Sequence, residues 1–354
     1  MKIVVLAGGI STERVVSLTS SAVICNTLRQ AGHQAVMVDT FLGMPDAQPP
    51  FDRLFKMDGS LVELPAIANK EPDLEEIRRS RPGGSKAFWG PNVIEICREA
   101  DICYLGLHGG SGENGQVQAS LDMLGIRYTG AGYLGSGAAM HKGFTKAIFK
   151  AAGIPTPNGL LLRKEDADKP LSAFGLSLPA VVKTCSGGSS IGVYITHTEN
   201  EYRNALDELF RTESEIIVEE YIKGREFAVG VVAGHAYPVI EIIPREGWFD
   251  YEHKYQDGFS QEVCPADISS EASAKMMDAA EQAAHALSLD VYSRMDFMMD
   301  GHENVYCLEA NSLPGMTPAS LLPKEAAAVG ISFTELCELI IDESMKKYKN
   351  TTGD

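Results

Sequence analysis

The chain has 354 residues, of which 44% are hydrophobic and 22% are charged, and these globular proportions exclude a wholly disordered or collagen-like protein. Its length suits two or three domains. Its formal net charge of −17 disfavours nucleic acids and anionic membrane surfaces as partners, because both would be repelled.

The amino-terminal part has the pattern of an α/β domain. Residues 2–7 form an apolar run typical of a parallel strand buried on both faces, and a helical periodicity follows Ser17. Residues 35–38 predict the second strand of this β-α-β unit. Residues 42–92 are irregular and rich in proline, and we expect an inserted surface segment there. Residues 101–107 predict a further strand that ends at a Gly-rich loop.

Three features predict a cytoplasmic protein. The apolar start is short and is soon followed by Glu13 and Arg14, which favours a buried strand over a signal peptide. No stretch reaches the roughly 18 uninterrupted apolar residues of a membrane-spanning helix. The seven cysteines are odd in number and show no C-x-x-C spacing, so we expect reduced thiols.

The rest of the chain predicts further strands and helices. A helix over residues 142–152 is followed by stop signals, which place a domain boundary near residue 140. Strands are expected at residues 178–183, 193–196, 216–219 and 226–232, a helix at 270–287, a hairpin over 291–309, and a last helix that starts at a capping box at Ser332. Residues 244–262 form an irregular aromatic segment. We interpret residues 245–262 as a lid that closes over ligand, and the alternative is a permanently ordered surface loop.

The hairpin carries the most informative residues. Arg294 and Asp296 share one face of their strand, as do Glu309 and Asn311, so pairing would bring four polar groups to one patch. Carboxylate and amide oxygens at this spacing suit Mg²⁺, which binds carboxylates together with nucleotide phosphates. The alternative is an exposed polar sheet face.

A second feature is the Gly/Ser-rich run from Lys183 to Gly192. Its small residues let backbone N–H groups approach phosphate oxygens, and Lys183 would add positive charge. It is not a Walker A loop, and an ordinary hairpin turn is the alternative. The run from Gly130 to Gly135 matches a dinucleotide fingerprint, but no acidic residue follows about 20 positions on, which disfavours an oxidoreductase.

Smaller features complete the set of candidates. His108 ends a strand and Glu13 follows another, and such strand ends often hold sites in α/β sheets. Lys254 and Tyr255 lie in the aromatic segment. Each also has a simpler interpretation: a structural histidine, a solvated surface charge, and a packed lysine beside a packed tyrosine.

These residues together resemble the D-alanine–D-alanine ligase family of the ATP-grasp superfamily. The likeness covers nearly the whole chain except residues 42–92, and seven ordered motifs are far more specific than any one. They are residues 8–17, 108–115, 128–132, 183–192, 219–226, 249–255 and 294–317. The chain departs from the family pattern at Val15, at His141 and at Thr184–Gly187.

The resemblance implies an α/β ATP-grasp fold with three α/β domains, in which ATP lies between two antiparallel sheets. The implied parts are a Rossmann-like domain over residues 1–140 with the insertion at about 42–92, a central subdomain over 141–215, and a carboxy-terminal subdomain over 216–354.

The resemblance also implies a role for each site residue. The implied catalytic residues are Glu13, Ser189, Tyr255, Arg294 and Gly315. The implied substrate-binding residues are His108, Lys254, Ser320 and Leu321. The implied ATP-binding residues are Lys142, Lys183, Ser190, Glu219, Glu220, Ile222 and Glu226. Two Mg²⁺ ions, with Mn²⁺ as a substitute, would bind to Asp296, Glu309 and Asn311.

The implied activity is ATP-dependent ligation of two D-alanines through an acyl phosphate, for peptidoglycan precursor synthesis, by a homodimer. Two alternatives stay open: a sister ligase that takes D-serine or another acceptor, and an ATP-binding regulator without turnover. Retention of Arg294, Asp296, Glu309 and Asn311 argues against the regulator. Lys254-Tyr255 resembles the dipeptide-forming members more than those that make D-alanyl-D-lactate.

Overall fold

The structure is a computed structural model that describes residues 1–56, 59–64, 72–81, 84–188, 192–244 and 260–349. Within these ranges the α-helices are α1 (Arg14–Gln30), α2 (Leu74–Ser80), α3 (Val93–Arg98), α4 (Gln116–Met123), α5 (Tyr133–Met140), α6 (Lys142–Ala151), α7 (Glu199–Leu209), α8 (Ser270–Ala286), α9 (Leu321–Ala328) and α10 (Phe333–Lys349). None of these described helices combines the length and apolarity that crossing a membrane requires.

The first sheet is parallel, with the strand order β2-β1-β3. Its strands are β1 (Lys2–Ala7), β2 (Gln34–Asp39) and β3 (Ile102–Leu105). β1 is buried on both faces, as its continuous apolar run predicted. Ser17 of α1 accepts a hydrogen bond from the Gly8 N–H at 2.9 Å and donates one to the Gly106 carbonyl at 2.6 Å. These two bonds tie the first turns of α1 to the carboxyl ends of β1 and β3.

The second sheet is antiparallel, with the order β4-β7-β5-β6. Its strands are β4 (Gly159–Arg163), β5 (Ala180–Thr184), β6 (Val193–Thr196) and β7 (Glu215–Glu220). α7 buries Tyr202 and Leu206 against Val182 and Val218 of this sheet. The sequence pattern predicts neither β4 nor α7.

The third sheet is antiparallel and carries the predicted hairpin. Its main path is β11-β10-β8-β12-β13, and β9 pairs with β8. Its strands are β8 (Gly224–Val232), β9 (His235–Ala236), β10 (Ile240–Pro244), β11 (Ser260–Val263), β12 (Tyr292–Asp300) and β13 (Val305–Asn311). α8 covers one face with Met276 and Ala280, which pack with Phe227 and Phe297. One parallel and two antiparallel sheets confirm the α/β class.

The aromatic segment was predicted to be irregular up to residue 262, and this is wrong at its end. Residues 260–263 form β11, which pairs with β10 and thereby satisfies its backbone groups. Residues 245–259 lie outside the described residues.

The last helix returns to the first sheet. Leu336, Ile340 and Ile341 of α10 are buried in the same hydrophobic core as β1 and β3. The predicted domain boundaries stay predictions, and the packing shows that residues from the far end of the chain complete the amino-terminal core.

Candidate active site

Four polar side chains meet where β12 pairs with β13. The register sets Arg294 opposite Asn311 and Asp296 opposite Glu309, which confirms the predicted convergence. Arg294 donates from Nε and Nη2 to the two carboxylate oxygens of Asp296, at 2.7 and 2.9 Å. Asn311 Nδ2 donates to Asp296 Oδ2 at 3.1 Å. Asp296 is only 6% exposed, so the patch is not a solvated sheet face.

The Arg294 guanidinium keeps its charge in this partly buried setting. Burial lowers its pKa, but the carboxylates of Asp296, Glu309 and Glu325 raise it further, and the pKa ends above its ordinary value. A fixed cation in a low-dielectric site interacts strongly with negative charge that develops beside it.

Of the two predicted phosphate-binding lysines, Lys142 contacts this patch and Lys183 lies on the neighbouring second sheet. Lys142 Nζ donates to the Gly187 carbonyl at 2.6 Å and pairs with Glu309 Oε2 at 3.3 Å. Lys183 pairs with the buried carboxylate of Glu219 on β7. These contacts join the Gly/Ser-rich run, the second sheet and the polar patch into one cleft.

A third lysine, Lys146, was missed by the sequence analysis. Its Nζ lies 2.7 Å from Glu219 Oε2, so the two lysines Lys146 and Lys183 share one carboxylate. Burial raises the pKa of Glu219, but the two ammonium groups lower it below its ordinary value. The trio carries one net positive charge, which suits a phosphate in a protein of net charge −17. The signal was available, because Lys146 lies one helical turn after Lys142.

A third cluster of polar groups, after the patch and the lysines around Glu219, lies at the carboxyl ends of β1 and β3. Glu13 precedes α1, and His108 follows β3. Gly109 has a φ of +68°, and a Cβ there would lie 2.6 Å from Glu13 Oε2, so only glycine lets these two loops meet. A Cβ on Gly188 would lie 3.6 Å from the same Glu13 oxygen. The Gly/Ser-rich run therefore reaches Glu13.

The pKa values of His108 and Glu113 are both shifted in this cluster. Burial lowers the pKa of His108, so its ring is neutral at pH 7, and its buried Nε2 has no hydrogen-bond partner among the described residues. Glu113 was not among the predicted site residues, although it lies within the motif of residues 108–115. Its carboxylate accepts from the Gly109 N–H at 2.7 Å, and burial together with Glu13 raises its pKa to about 8.

The stretch from the end of β13 to the start of α9 holds three more candidates. A Cβ on Gly315 would lie 3.0 Å from Ser320 Oγ, so the glycine permits a close approach. Ser320 precedes α9, and its Oγ accepts from the Thr317 N–H at 3.1 Å. Leu321 packs against buried residues of the third sheet. Leu313 lies close enough to the His108 ring for its backbone to raise the pKa of that ring, against the larger lowering by burial. This stretch therefore adjoins the third cluster.

The residues expected around adenine and ribose lie on β7, on β8 and between them. Glu220 is on the opposite strand face from Glu219, and its carboxylate accepts from the Asn158 N–H at 2.7 Å. Ile222 lies half-buried in the turn, and Glu226 is paired with Met298 in the sheet register. Their roles toward ATP stay predictions.

Four predicted site residues fall outside the described residues. They are Ser189, Ser190, Lys254 and Tyr255. Their roles, and the lid, stay predictions.

The donor set of the patch fits a hard divalent cation. Asp296, Glu309 and Asn311 offer carboxylate and amide oxygens, which Mg²⁺ prefers. Arg294 and Lys142 already pair with two of these residues, so the patch attracts positive charge.

Family models match both the amino-terminal and the carboxy-terminal part of the chain. Residues 2–131 match the family model described as the D-ala D-ala ligase N-terminus, and residues 148–342 match the D-ala D-ala ligase C-terminus. A D-alanine–D-alanine ligase from Pediococcus pentosaceus is 46% identical over 98% of this chain and 99% of the relative. One from Lacticaseibacillus casei is 44% identical over 98% of this chain and 97% of the relative.

Solved structures give the same result. The D-alanine–D-alanine ligase from Bacillus anthracis complexed with ATP is 30% identical to this chain, with a TM-score of 0.75. The alignment covers 99% of this chain and 98% of that chain.

Proposed function

This chain belongs to the D-alanine–D-alanine ligase family of the ATP-grasp superfamily, and we propose that its polar cleft joins two D-alanines at the expense of ATP. The product, D-alanyl-D-alanine, serves peptidoglycan precursor synthesis. The observation that carries the proposal is the register of β12 and β13, which sets a partly buried arginine beside the side-chain oxygens of Asp296, Glu309 and Asn311. An ATP-binding regulator would not need that arrangement.

ATP binds between the second and third sheets. Lys142 and Lys183 hold its phosphates, helped by Ser190 and the backbone of the Gly/Ser-rich run. Glu219, Glu220 and Ile222 face the adenine, and Glu226 binds the ribose hydroxyls. The net positive charge of Lys146, Lys183 and Glu219 supports the phosphate position.

The reaction has two steps. A carboxylate oxygen of the first D-alanine attacks the γ-phosphorus, the bond from that phosphorus to the ADP oxygen breaks, and an acyl phosphate forms. The amine of the second D-alanine then attacks the acyl carbon, and the tetrahedral intermediate expels phosphate while the amine loses a proton. Arg294 and the Gly315 N–H stabilise the negative charge that grows in each step.

The amino acids bind at the carboxyl ends of β1 and β3. Glu13 binds the ammonium group of the first D-alanine and connects through Ser189 to Tyr255, and the neutral His108 orients this substrate. Lys254 and Ser320 receive the carboxylate of the second D-alanine, and Leu321 contacts the same substrate. The closeness of Ser320 Oγ to Gly315 supports this placement, because it sets the acceptor beside the oxyanion-stabilising N–H.

Asp296, Glu309 and Asn311 would hold two Mg²⁺ ions, with Mn²⁺ as a substitute. When bound, the cations neutralise charge on the phosphates. Arg294 and Lys142, which pair with Asp296 and Glu309, would remain close to the transferring phosphoryl group.

We further propose a cytoplasmic homodimer. Met123 and Leu124 at the end of α4 and Tyr133 and Leu134 at the start of α5 are exposed apolar residues on two helices that pack together. Apolar patches of this kind mark subunit interfaces in many proteins. Sedimentation equilibrium should give twice the 38.2 kDa chain mass, and Leu134→Glu should lower it. A monomer at micromolar concentration would contradict the dimer.

Phosphate release tests the activity. Purified protein with ATP and Mg²⁺ is given D- and L-amino acids and D-lactate, singly and in pairs, and products are identified by mass spectrometry. D-alanine alone should give phosphate and D-alanyl-D-alanine in equal amounts. Release that depends on a second, different acceptor would identify a sister ligase, and nucleotide binding without release under any condition would identify a regulator.

A further inference from the structure

A cluster of metal-ligating side chains lies outside the magnesium patch. It consists of His141, which precedes α6, Cys185, which follows β5, and Glu215, which begins β7. Cys185 Sγ lies 3.4 Å from the His141 ring nitrogens, and His141 Nε2 lies 3.3 Å from Glu215 Oε2. One ligand atom from each residue falls within 4.8 Å of the others.

The two separations that involve His141 fit a tetrahedral ion of the zinc class. Ligand atoms at roughly 2.0–2.3 Å from Zn²⁺ lie about 3.3–3.6 Å from one another when the angles are tetrahedral. A thiolate, an imidazole and a carboxylate are also a set that soft or borderline metals prefer over Mg²⁺. Three protein ligands leave the fourth position to water, as in open zinc sites.

The surroundings hold two of the ligands in place. Arg163 Nε donates to Glu215 Oε1 at 2.9 Å, which leaves Oε2 turned toward the histidine. His141 Nδ1 accepts from the Phe144 N–H at 3.2 Å, and the ring stacks on Phe144 with centroids 4.2 Å apart. Binding at Nε2 would shift the ring proton to Nδ1 and cost this one cap, against three coordinate bonds gained.

The cluster is accessible and adjoins the ATP-binding lysines. The side chains of His141 and Glu215 are 20% and 26% exposed, so an ion can enter from solvent. The Lys142 N–H donates to the Cys185 carbonyl at 2.8 Å, and Lys183 lies two residues before Cys185. His141 and Cys185, which contact each other here, both lie at positions where the chain departs from the family pattern.

We propose that His141, Cys185 and Glu215 form a binding site for a zinc-class ion, distinct from the Mg²⁺ patch. The ion clamps the start of α6 to the end of β5 and the start of β7. The binding site itself does not depend on the proposed function, since it needs neither ATP nor D-alanine.

Cobalt is the direct probe. Co²⁺ is added to the reduced, metal-free full-length protein, and absorption is recorded. One equivalent should give thiolate-to-cobalt charge-transfer absorption and tetrahedral d–d bands, and Zn²⁺ should abolish both. Absence of thiolate charge transfer in the wild-type protein overturns the proposal, whether or not the protein ligates D-alanine.

Variants locate the site. Cys185→Ser should remove the charge-transfer absorption and lower Zn²⁺ affinity by at least about 100-fold, the upper end of what residues that only orient a ligand contribute. His141→Asn keeps a helix-capping side chain but removes the imidazole, and it should also weaken binding. Cys264→Ser, at a partly buried thiol outside the cluster, is the matched control and should change neither.

Thermal melting gives an independent readout. Zn²⁺ should raise the Tm of the wild-type protein and of Cys264→Ser, because an ion that binds the native state stabilises it. It should not raise that of Cys185→Ser, whose metal-free Tm reports whether the variant folds. A wild-type cobalt spectrum that survives in folded Cys185→Ser would place the metal elsewhere and overturn the assignment.

Discussion

At the scale of single residues, Arg294 is the centre of the proposed chemistry. Its two hydrogen bonds to Asp296 fix the guanidinium plane, and the neighbouring carboxylates keep it charged. A rigid cation that meets charge developing during the reaction acts mainly on the transition state.

Arg294→Met should therefore lower kcat far more than it raises KM. Groups of this kind contribute about 10²–10⁴-fold to rate. Steady-state kinetics with D-alanine and ATP measures the split. Arg225→Met is the matched control, because Arg225 makes a similar bidentate pair with Glu241 on the same sheet. A change confined to KM would make Arg294 a substrate-binding residue.

Asp296→Asn should nearly abolish turnover and shift the Mg²⁺ requirement upward while the fold survives. The amide keeps the shape but removes a charge from a site that holds cations. Mg²⁺ titrations of the rate, with melting curves, give both quantities. Asp290→Asn, at an exposed aspartate before β12, should behave like the wild-type protein. A normal rate for Asp296→Asn at ordinary Mg²⁺ would remove this residue from the metal site.

The sequence predicted the residues of the patch because two strands of alternating polarity must place such side chains on one face when they pair. It did not predict how Lys146 and Lys183 share Glu219, since β5, β7 and α6 meet only in the fold. Glu325 carries no local signal at all, because it sits on the apolar face of a helix among leucine and alanine.

At the scale of elements, helix α9 buries Glu325 against strand β8. Glu325 is fully buried, and its Oε1 accepts from the Gly230 N–H at 2.9 Å. A Cβ on Gly230 would lie 2.7 Å from Glu325 Oε2, so glycine makes room for the carboxyl group. Burial raises the pKa of Glu325 to about 8.

Glu325→Gln should become progressively more stable than the wild-type protein as pH rises from 5 to 8. The folded-state pKa lies above the ordinary value of 4.5, so the stabilising contribution of the protonated acid is full below pH 4.5 and is lost as pH approaches 8. The difference in the free energy of unfolding should change by up to about 4 kcal/mol across that interval. Urea unfolding at several pH values measures it.

The matched control is Glu99→Gln, at an exposed glutamate that directly follows α3. Its stability relative to the wild-type protein should stay constant with pH. A constant difference for Glu325→Gln as well would mean that Glu325 titrates normally in the folded protein.

Several elements escaped prediction for reasons that are physical. α7 is rich in charge, and its apolar residues are few, but the capping box of Thr198 and Glu201 marks its start. α5 begins inside the run from Gly130 to Gly135 and contains two glycines, which weaken any helical pattern. The dinucleotide-like glycine spacing at residues 130–135 therefore marks the start of a helix. The proposed function places no nucleotide there.

At the scale of the whole molecule, the chain closes on itself. Helix α10 packs against α1 and β3, so the amino-terminal core is complete only when the last residues have folded. The Tyr348 hydroxyl accepts from the Tyr128 N–H at 2.9 Å, and Ser344 Oγ accepts from the Gly130 N–H at 3.1 Å. A sequence divided into consecutive domains cannot show this, because the contacting residues lie more than 200 positions apart.

Ile340→Ala should therefore destabilise the amino-terminal sheet although it lies at the other end of the chain. Ile340 is fully buried in the core shared with β1 and β3, and truncation of such a side chain costs about 2–5 kcal/mol. Hydrogen exchange followed by mass spectrometry should show faster exchange in β1 and β3 than in the wild-type protein. Asp342→Ala, at an exposed position of the same helix, is the control and should change neither exchange nor stability. Faster exchange confined to α10 itself would mean that the helix only rests on the sheet and that the amino-terminal core is stable without it.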